Sequence, residues 1–323
     1  MKIRNIIRFI ELIVIISVIV IVVNFFYKRG DSQTYIFVNT WGNKGNGDGQ
    51  FLYPRFITVD TEGYIYVSDL SENCIQKFNS QGDFITKWGN KGESDGKFNN
   101  PKGISVDHQR NIYVVDSINN RIQKFDSKGN FLLKWGKYGS KPGEFISPKS
   151  IAVDSKGYIY VGDEDIQKFD SNGKFSMKYE VRNRKFTDRQ PLQDIAIDSS
   201  GNIYVIHWLF CGFLAQSHVR KFSPSGQCIK QWGAYGKEEG SFSNVYGIAI
   251  DSQDHIFVAE GDKNRIQIFD SNGNFLKVWG SWGYCYGYFR VPIDLAIDLT
   301  GNLYVLEYGN RRIQKFMPNS NLK

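Results

Sequence analysis

The amino-acid sequence predicts an all-β fold, a six-bladed β-propeller preceded by one transmembrane helix at the amino terminus. A unit of roughly 47 residues recurs six times, which is typical of propellers. Each unit holds four short runs rich in β-branched and aromatic residues, which favour strands. An almost unbroken aliphatic stretch around residues 12–23 predicts the helix. We therefore divide the chain into an anchor, 1–30, and a propeller, 31–323.

The six units are aligned by an Asp that closes the first predicted strand of each. These residues are Asp60, Asp107, Asp154, Asp198, Asp251 and Asp298. A Trp or Tyr stands 19 residues before each Asp, and a Phe stands 18 residues after four of them. The second spacing is 15 in the third unit, at Phe169, and 24 in the fourth, at Phe222. Because variable segments on a fixed scaffold tend to carry function, these two units are candidates for binding.

Turn-forming residues separate the runs within each unit. Asp-x-x-Gly follows the first run as DTEG, DSKG, DSSG and DLTG, and similar tetrapeptides follow the third run. An Asp side chain can bond the backbone two residues on, and Gly reaches positive φ without steric cost. Each unit is therefore predicted to form four antiparallel strands joined by tight turns.

The repeated motif resembles the NHL repeat. The pattern W-G-x-x-G-x-x-x-G-x-F-x-x-P-x-G-I-x-V-D, followed by I-Y-V-x-D and N-R-I-Q-x-F, recurs in register over about 34–317. The fourth unit departs from it, with Tyr179 in place of Trp and no Gly-rich lead-in. The resemblance implies a six-bladed ring. Some propellers that look like this one are metal-dependent lactonases or lyases, and some cytoplasmic NHL propellers bind RNA.

The sixth unit lacks a fourth strand, because the chain ends there as MPNSNLK. The segment TYIFVNTWG at 34–42 is similar to NFLLKWG, the fourth run of the second unit. We predict that 34–42 supplies the outer strand of the last blade and closes the ring.

Residues 6–27 are predicted to lie in a membrane. Leu12 to Val23 is aliphatic apart from Ser17, and the whole stretch approaches the ~20 residues that span a bilayer. No small-x-small cleavage site follows, which favours a retained signal anchor over a cleaved signal peptide. The basic residues before the span favour a single-pass protein with its propeller outside the cytoplasm. Cleavage would instead make the propeller a secreted protein.

Composition limits the classes of partner. The formal net charge is +7, of which +3 falls within 1–33, so the propeller is too weakly basic to indicate nucleic acid. The four cysteines fit no C-x-x-C metal motif. A bridge between Cys211 and Cys285 is one alternative for them, and free buried thiols are the other. We expect no cofactor.

The longest connections should share one face of the propeller, and we expect a protein or carbohydrate ligand to bind there. An expanded apolar loop in the fourth unit follows a cationic connection. The predicted partner-binding residues of this region are Arg182, Arg184, Lys185, Arg189, His207, Trp208, Phe210 and Phe213. The stretch WGSWGYCYGYFRVP adds Trp282, Tyr284 and Tyr286, whose rings suit sugars or partner side chains.

The mouth of the central channel is a second candidate region. The first predicted strands begin with cations in units one to three and bring carboxylates and an aromatic ring in units four to six. These residues are Arg55, Lys102, Lys149, Asp194, Tyr246 and Asp294. A rim that is basic on one half and acidic on the other is predicted, with solvated surface charges as the alternative reading.

The motifs favour a non-catalytic recognition or scaffold module, with a metal-dependent enzyme as the alternative. A catalytic zinc site needs about three convergent His or carboxylate ligands. The chain has only four His, and it lacks H-E-x-x-H, G-x-S-x-G and P-loop motifs. A set drawn from Asp194, His207, Glu260, Asp294 and Glu307 is conceivable but has no characteristic spacing. We therefore assign neither catalytic residues nor metal ligands.

Overall fold

The computed structural model describes residues 35–181, 192–211 and 214–319, with backbone alone over 209–211 and 214–216. These ranges contain six four-stranded antiparallel sheets arranged as a propeller, which confirms the six-bladed β-propeller of the prediction. The predicted anchor at 1–30 lies outside the described residues. Within the ranges that are described, no helix has the length and apolar character that crossing a bilayer requires.

Blades 1 to 5 each take four consecutive strands, numbered from the channel outward. Blade 1 is β2 (Pro54–Val59), β3 (Ile65–Asp69), β4 (Cys74–Phe78) and β5 (Phe84–Trp88). Blade 2 is β6 (Pro101–Val106), β7 (Ile112–Asp116), β8 (Arg121–Phe125) and β9 (Phe131–Trp135). Blade 3 is β10 (Ser150–Val153), β11 (Ile159–Gly162), β12 (Ile166–Phe169) and β13 (Phe175–Tyr179). Blade 4 is β14 (Asp194–Ile197), β15 (Ile203–Cys211), β16 (Leu214–Phe222) and β17 (Cys228–Trp232). Blade 5 is β18 (Val245–Ile250), β19 (Ile256–Glu260), β20 (Arg265–Phe269) and β21 (Phe275–Trp279).

Blade 6 joins the two ends of the propeller. Its strands are β22 (Pro292–Ile297), β23 (Leu303–Glu307), β24 (Arg312–Pro318) and, outermost, β1 (Tyr35–Trp41). β1 pairs antiparallel with β24 from Tyr35 opposite Pro318 to Trp41 opposite Ile313, with a bulge between Phe37 and Asn39. The prediction that 34–42 closes the ring is therefore confirmed.

The recurrent Asp of each unit holds the turn between the first two strands of its blade. Asp60 Oδ1 accepts hydrogen bonds from the backbone N–H groups of Glu62 and Tyr64 at 3.0 and 2.9 Å, and Tyr66 donates its hydroxyl to Oδ2 at 3.0 Å. Asp107 repeats this arrangement in blade 2. The most regular feature of the sequence is therefore structural.

The recurrent Trp links each blade to the next. A Cβ added to Gly82, in the outer turn of blade 1, would lie 2.6 Å from the ring of Trp41 on β1. Gly129 of blade 2 meets Trp88 of blade 1 in the same way. These turns therefore need Gly both for its positive φ and for the space that the neighbouring indole occupies.

The hydrophobic core lies in layers between adjacent blades. In the layer that joins blade 6 to blade 1, Tyr304 and Leu306 pack with Ile57, Val67 and Phe78, all of them buried. Because each blade is held on both flat faces, the inner strands are fixed in position around the channel. The channel mouth is therefore built on the least mobile part of the fold.

Candidate functional site: the channel mouth and the connection face

Each inner strand begins at the face of the propeller that carries the blade-to-blade connections, which we call the connection face. The residue at this beginning differs from blade to blade, and the six are Arg55, Lys102, Lys149, Gln193, Tyr246 and Ile293. In blades 1, 5 and 6 a bulge interrupts the pairing with the second strand at this residue. A bulge re-aims its side chain out of the regular ladder. The fold thus presents six non-equivalent side chains around one opening.

Blades 1 to 3 supply the basic half of the mouth. The side chains of Arg55, Lys102 and Lys149 are half-buried. Gly103 N–H donates to Lys149 O at 2.9 Å, which joins the beginnings of the inner strands of blades 2 and 3. Burial lowers the pKa of Lys149 well below its ordinary value, and the charges of Arg55 and Lys102 lower it further. Burial and then Arg55 also lower the pKa of Lys102. The three cations are therefore close enough to repel one another.

Two aromatic rings, Trp208 of blade 4 and Tyr246 of blade 5, lie between Lys149 and Arg55 at the mouth. Lys149 Nζ lies 5.7 Å from the ring centroid of Trp208 and hydrogen-bonds Gln193 Oε1. Trp208 meets Tyr246 edge to face at 5.4 Å and donates its indole N–H to Val245 O at 2.8 Å. The Arg55 guanidinium carbon lies 5.4 Å from the Tyr246 ring centroid. Trp208, predicted as part of a separate docking loop, is thus a wall of the channel mouth.

Blades 4 and 6 supply a pair of buried carboxyl groups. Asp194 Oδ2 accepts the Ile248 N–H of blade 5 at 2.9 Å, and Asp294 Oδ2 accepts the Ile57 N–H of blade 1 at 2.7 Å. Each carboxyl therefore joins its own blade to the next. Burial raises the pKa of Asp194 to about 7. Burial, and then the charge of Asp194, raise the pKa of Asp294 well above its ordinary value.

The two carboxyl groups approach each other across the inner strand of blade 5, at Gly247. A Cβ added to Gly247 would lie 2.7 Å from Asp294 Oδ1 and 2.6 Å from Asp294 Cα. Any larger residue would therefore displace Asp294. Two carboxyl groups this close and this buried cannot both ionise readily, so the pair keeps a proton to a higher pH than an ordinary carboxyl group would. Arg55 faces both and favours their ionised forms.

Below the mouth, the channel contains a cavity of about 160 Å³. One aliphatic side chain from each inner strand lines it: Ile57, Ile104, Ile151, Ile195, Ile248 and Leu295. Asp194 and Asp294 also line the cavity. The site therefore combines a charged entrance with a narrow interior in which the polar groups of Thr58 and Ser105 accompany the aliphatic side chains.

The set of metal ligands considered from the sequence is not assembled. Glu260 is buried, and it accepts hydrogen bonds from Arg265 Nε at 2.5 Å and from the Ser243 N–H at 2.8 Å. Glu307 receives Arg312 Nε at 2.5 Å and likewise accepts a backbone N–H of its own lead-in connection. Both carboxylates thus hold blade-to-blade connections in place. Across the described part of the chain, no group of three or more His, Cys, Asp and Glu side chains could hold a metal ion.

The other sequence-predicted residues of blade 4 are only partly described. His207 is buried at the position where the other five blades carry Asp or Glu. β15 and β16 pair as far as Cys211 opposite Leu214, so the predicted expanded loop is a long hairpin. Arg182, Arg184, Lys185, Arg189 and Phe213 lie outside the described residues, as does the side chain of Phe210. Cys285 is a free, exposed thiol, so the alternative of a bridge to Cys211 is wrong.

The connection between blades 5 and 6 presents an exposed aromatic cluster. Trp282 and Tyr284 are 60% and 61% exposed, and their rings meet edge to face at 5.6 Å. The Arg290 guanidinium lies 4.9 Å from the Tyr284 ring centroid and donates to its hydroxyl at 3.1 Å. Tyr286 instead stacks on Phe37 of β1, with centroids 4.4 Å apart. We call Trp282, Tyr284 and Arg290 the aromatic platform.

Sequence reasoning missed Arg290 and two exposed tyrosines on the same face. Tyr138 and Tyr235 occupy the place of Trp282 in the lead-ins of blades 3 and 5, each bridged to a buried Phe seven residues on. The signal was available, because W-G-x is followed by an aromatic residue in WGKY, WGAY and WGSW. Of these three, only Trp282 has a second exposed ring and a guanidinium beside it in the described structure.

Comparisons with known proteins agree on the fold. The sequence model of a family described as a 6-bladed beta-propeller matches residues 59–127 and 107–205. The E3 ubiquitin-protein ligase TRIM71 of Rattus norvegicus is 45% identical over 47 residues, which are 15% of this chain and 6% of that protein. The chain therefore corresponds to a small fraction of that relative's length.

Solved structures share the architecture at low sequence identity. A Bacteroides thetaiotaomicron protein of unknown function matches with a TM-score of 0.67 at 15% identity, over 88% of this chain and 76% of that one. A Xanthomonas campestris gluconolactonase matches with a TM-score of 0.61 at 14% identity, over 84% and 88%. The virginiamycin B lyase of Staphylococcus aureus matches with a TM-score of 0.56 at 15% identity, over 87% and 99%. Likeness at this level concerns the fold alone.

Proposed function

We propose, from the premise that this chain is a six-bladed β-propeller of the NHL type, that it is a non-catalytic recognition module that binds a glycan on its connection face. The observation that carries the proposal is the aromatic platform, in which Trp282 and Tyr284 expose most of their rings beside Arg290. Large exposed aromatic side chains are costly to leave in water without a role, and their faces suit the C–H faces of sugar rings.

The platform is preorganised. Gly283 N–H donates to Phe289 O at 3.0 Å and Phe289 N–H donates to Ser281 O at 2.9 Å, which fixes the connection that carries both rings. Phe289 itself is fully buried in the core between blades. Because little conformational entropy remains to be lost, binding should involve small backbone movements.

Replacing Trp282 by Ala should weaken binding to a polysaccharide identified on a glycan array by about tenfold or more, since one stacked ring contributes roughly 1 kcal/mol or more. Tyr138→Ala is the matched control, because Tyr138 is 73% exposed at the equivalent place of blade 3. We expect it to bind normally. Unchanged affinity in Trp282→Ala would contradict the glycan assignment. So would a glycan array to which the wild-type protein does not bind.

We further propose that residues 1–30 anchor the chain in a membrane with the propeller outside the cytoplasm. The aliphatic stretch at 12–23 and the bulky residues that follow it support a retained anchor. A reporter that is active only outside the cytoplasm, fused after Lys323, should be active. A well-expressed but inactive fusion would contradict the orientation.

A second candidate function is catalysis in the channel, which the buried pair Asp194 and Asp294 beside Arg55 favours. Perturbed carboxyl groups in a cavity are common at active sites. The fold is shared with a gluconolactonase and a lyase, which supports the class only by analogy. Lactone hydrolysis by the purified chain that is lost in Asp194→Asn would support this candidate, and its absence would leave the recognition module.

A further inference from the structure

The channel mouth carries more positive than negative charge. Arg55, Lys102 and Lys149 stand at equivalent places where three adjacent inner strands begin. Only two carboxyl groups, those of Asp194 and Asp294, stand against these three cations, and each is already bonded to a backbone N–H of a neighbouring blade. By formal charge, the acidic half of the mouth therefore does not fully offset the basic half.

Within the described part of the chain, the three cations also lack local ion pairs. Among the described residues, no carboxylate oxygen lies within 4.0 Å of a charged nitrogen of Arg55, Lys102 or Lys149. By contrast, Arg121, Arg265 and Arg312, which lie further out on the blades, each bond a buried carboxylate of their own blade. Placing like charges together without a counter-charge is unfavourable, and proteins retain such arrangements where an anion completes them.

The surroundings define the size and chemistry of that anion. Trp208 and Tyr246 wall the mouth beside Lys149 and Arg55, and their rings meet at 5.4 Å. The cavity below has a volume of about 160 Å³, so it could take only the smaller part of a ligand. A guanidinium presents paired N–H groups that match the two oxygens of a carboxylate or phosphate, and ammonium groups add point charges.

We propose that Arg55, Lys102 and Lys149, flanked by Trp208 and Tyr246, form a binding site for the carboxylate or phosphate group of a small molecule at the channel mouth. This site is separate from the aromatic platform and does not rest on glycan binding there. Arg55 binds the oxyanion through the paired N–H groups at the edge of its guanidinium, and the two lysines complete the charge. Any hydroxyl groups on the ligand would face the carboxyl pair.

The test is a titration of the intact protein with sodium phosphate and, in a second arm, with sodium glucuronate, each against sodium chloride at equal ionic strength. Saturable stabilisation or heat of binding in the phosphate arm assigns a phosphate ligand, and in the glucuronate arm it assigns a carboxylate ligand. The Lys149→Met variant should bind the same probe about tenfold or more weakly. Lys91→Met, which removes an exposed lysine of the same face, should bind like the wild type.

The unliganded variants separate a binding role from a structural one. If Lys149 is retained for an anion, Lys149→Met and Lys102→Met should melt at or above the wild-type temperature without ligand, because like-charge repulsion is relieved. If the lysines were structural, both variants would melt lower. Lack of saturable binding of either probe, or equal binding by Lys149→Met, would overturn the proposal.

Discussion

The free energy of unfolding should fall between pH 5 and pH 8, and Asp294→Asn should reduce that fall. Burial raises the pKa of Asp194 to about 7 in the folded chain, and that of Asp294 is raised as well. The folded carboxyl therefore keeps a proton where the unfolded chain, with a pKa of about 4, has lost it. The stabilisation is complete below about pH 4 and is lost as the pH rises through about 7.

The size of this effect should be about 3 kcal/mol between pH 5 and pH 8, since each unit of pKa difference corresponds to about 1.4 kcal/mol and about two of the three units fall in that range. Lys149 and Lys102 act in the opposite direction, because their lowered pKa values make the folded state release protons that the unfolded state keeps. Comparing each variant with the wild type cancels their contribution. Urea denaturation at pH 5, 6, 7 and 8 and constant ionic strength measures the difference.

The Asn variant should also be less stable at every pH by about 1–2 kcal/mol. Both oxygens of Asp294 accept backbone N–H groups, from Leu295 at 2.8 Å and from Ile57, and an amide can accept only one of them. The test therefore compares how steeply the free energy of unfolding changes with pH in the two proteins, and not its absolute value. Asp126→Asn is the control, because hydrogen bonds lower the pKa of this turn residue and it is ionised throughout the range. Parallel curves for wild type and Asp294→Asn would refute a shared proton.

Most of the fold was predictable because the same local chemistry is repeated six times. The 19 residues from Trp41 to Asp60 run from the end of an outer strand through a connection and an inner strand, and the same spacing recurs in every unit. Each repetition reduces the ambiguity of a single short strand. The closing strand was predictable for the same reason, since 34–42 has the pattern of an outer strand without the rest of a blade.

The geometry of the channel mouth was only partly predictable. Alignment of the units shows which side chains begin the inner strands, so Arg55 and Lys102 could be assigned to the mouth. The carboxyl pair could not be deduced, because it depends on Asp294 packing against Gly247 while Asp194 bonds the next residue, Ile248, of the blade between them. Equally, the bond from Trp208 to Val245 O joins two blades, and no local pattern reports it.

The role of two carboxylates could not be read from their positions in the repeat alone. Glu260 and Glu307 stand in equivalent places near the channel and were considered as metal ligands. Their partners Arg265 and Arg312 lie five residues on, directly opposite across the hairpin. That spacing, E-x-x-x-x-R across a tight turn, was visible in the sequence and indicates an ion pair. For the role of these two carboxylates, the residue paired with each across its hairpin is therefore more informative than its position around the ring.

The second large effect concerns β1, which joins the beginning of the propeller to its end. Tyr35 is 7% exposed, and its ring stacks on Trp279 of blade 5 at 6.0 Å and meets Phe257 at 5.8 Å. Tyr35→Ala should therefore lower the free energy of unfolding by about 3 kcal/mol, as is usual for a buried aromatic residue. Ile36→Ala, at a neighbouring position that is 37% exposed, should cost less than about 1 kcal/mol.

The central claim is that β1 makes the six blades one cooperative ring, and calorimetry of the full chain lacking 35–41 tests it most directly. The wild-type propeller should unfold in one transition. We expect the deletion to lower the midpoint by about 15 °C or more and to broaden or split the transition, since the whole β1–β24 ladder and the buried Tyr35 are lost. A deletion variant with the wild-type midpoint and a single sharp transition would contradict the claim.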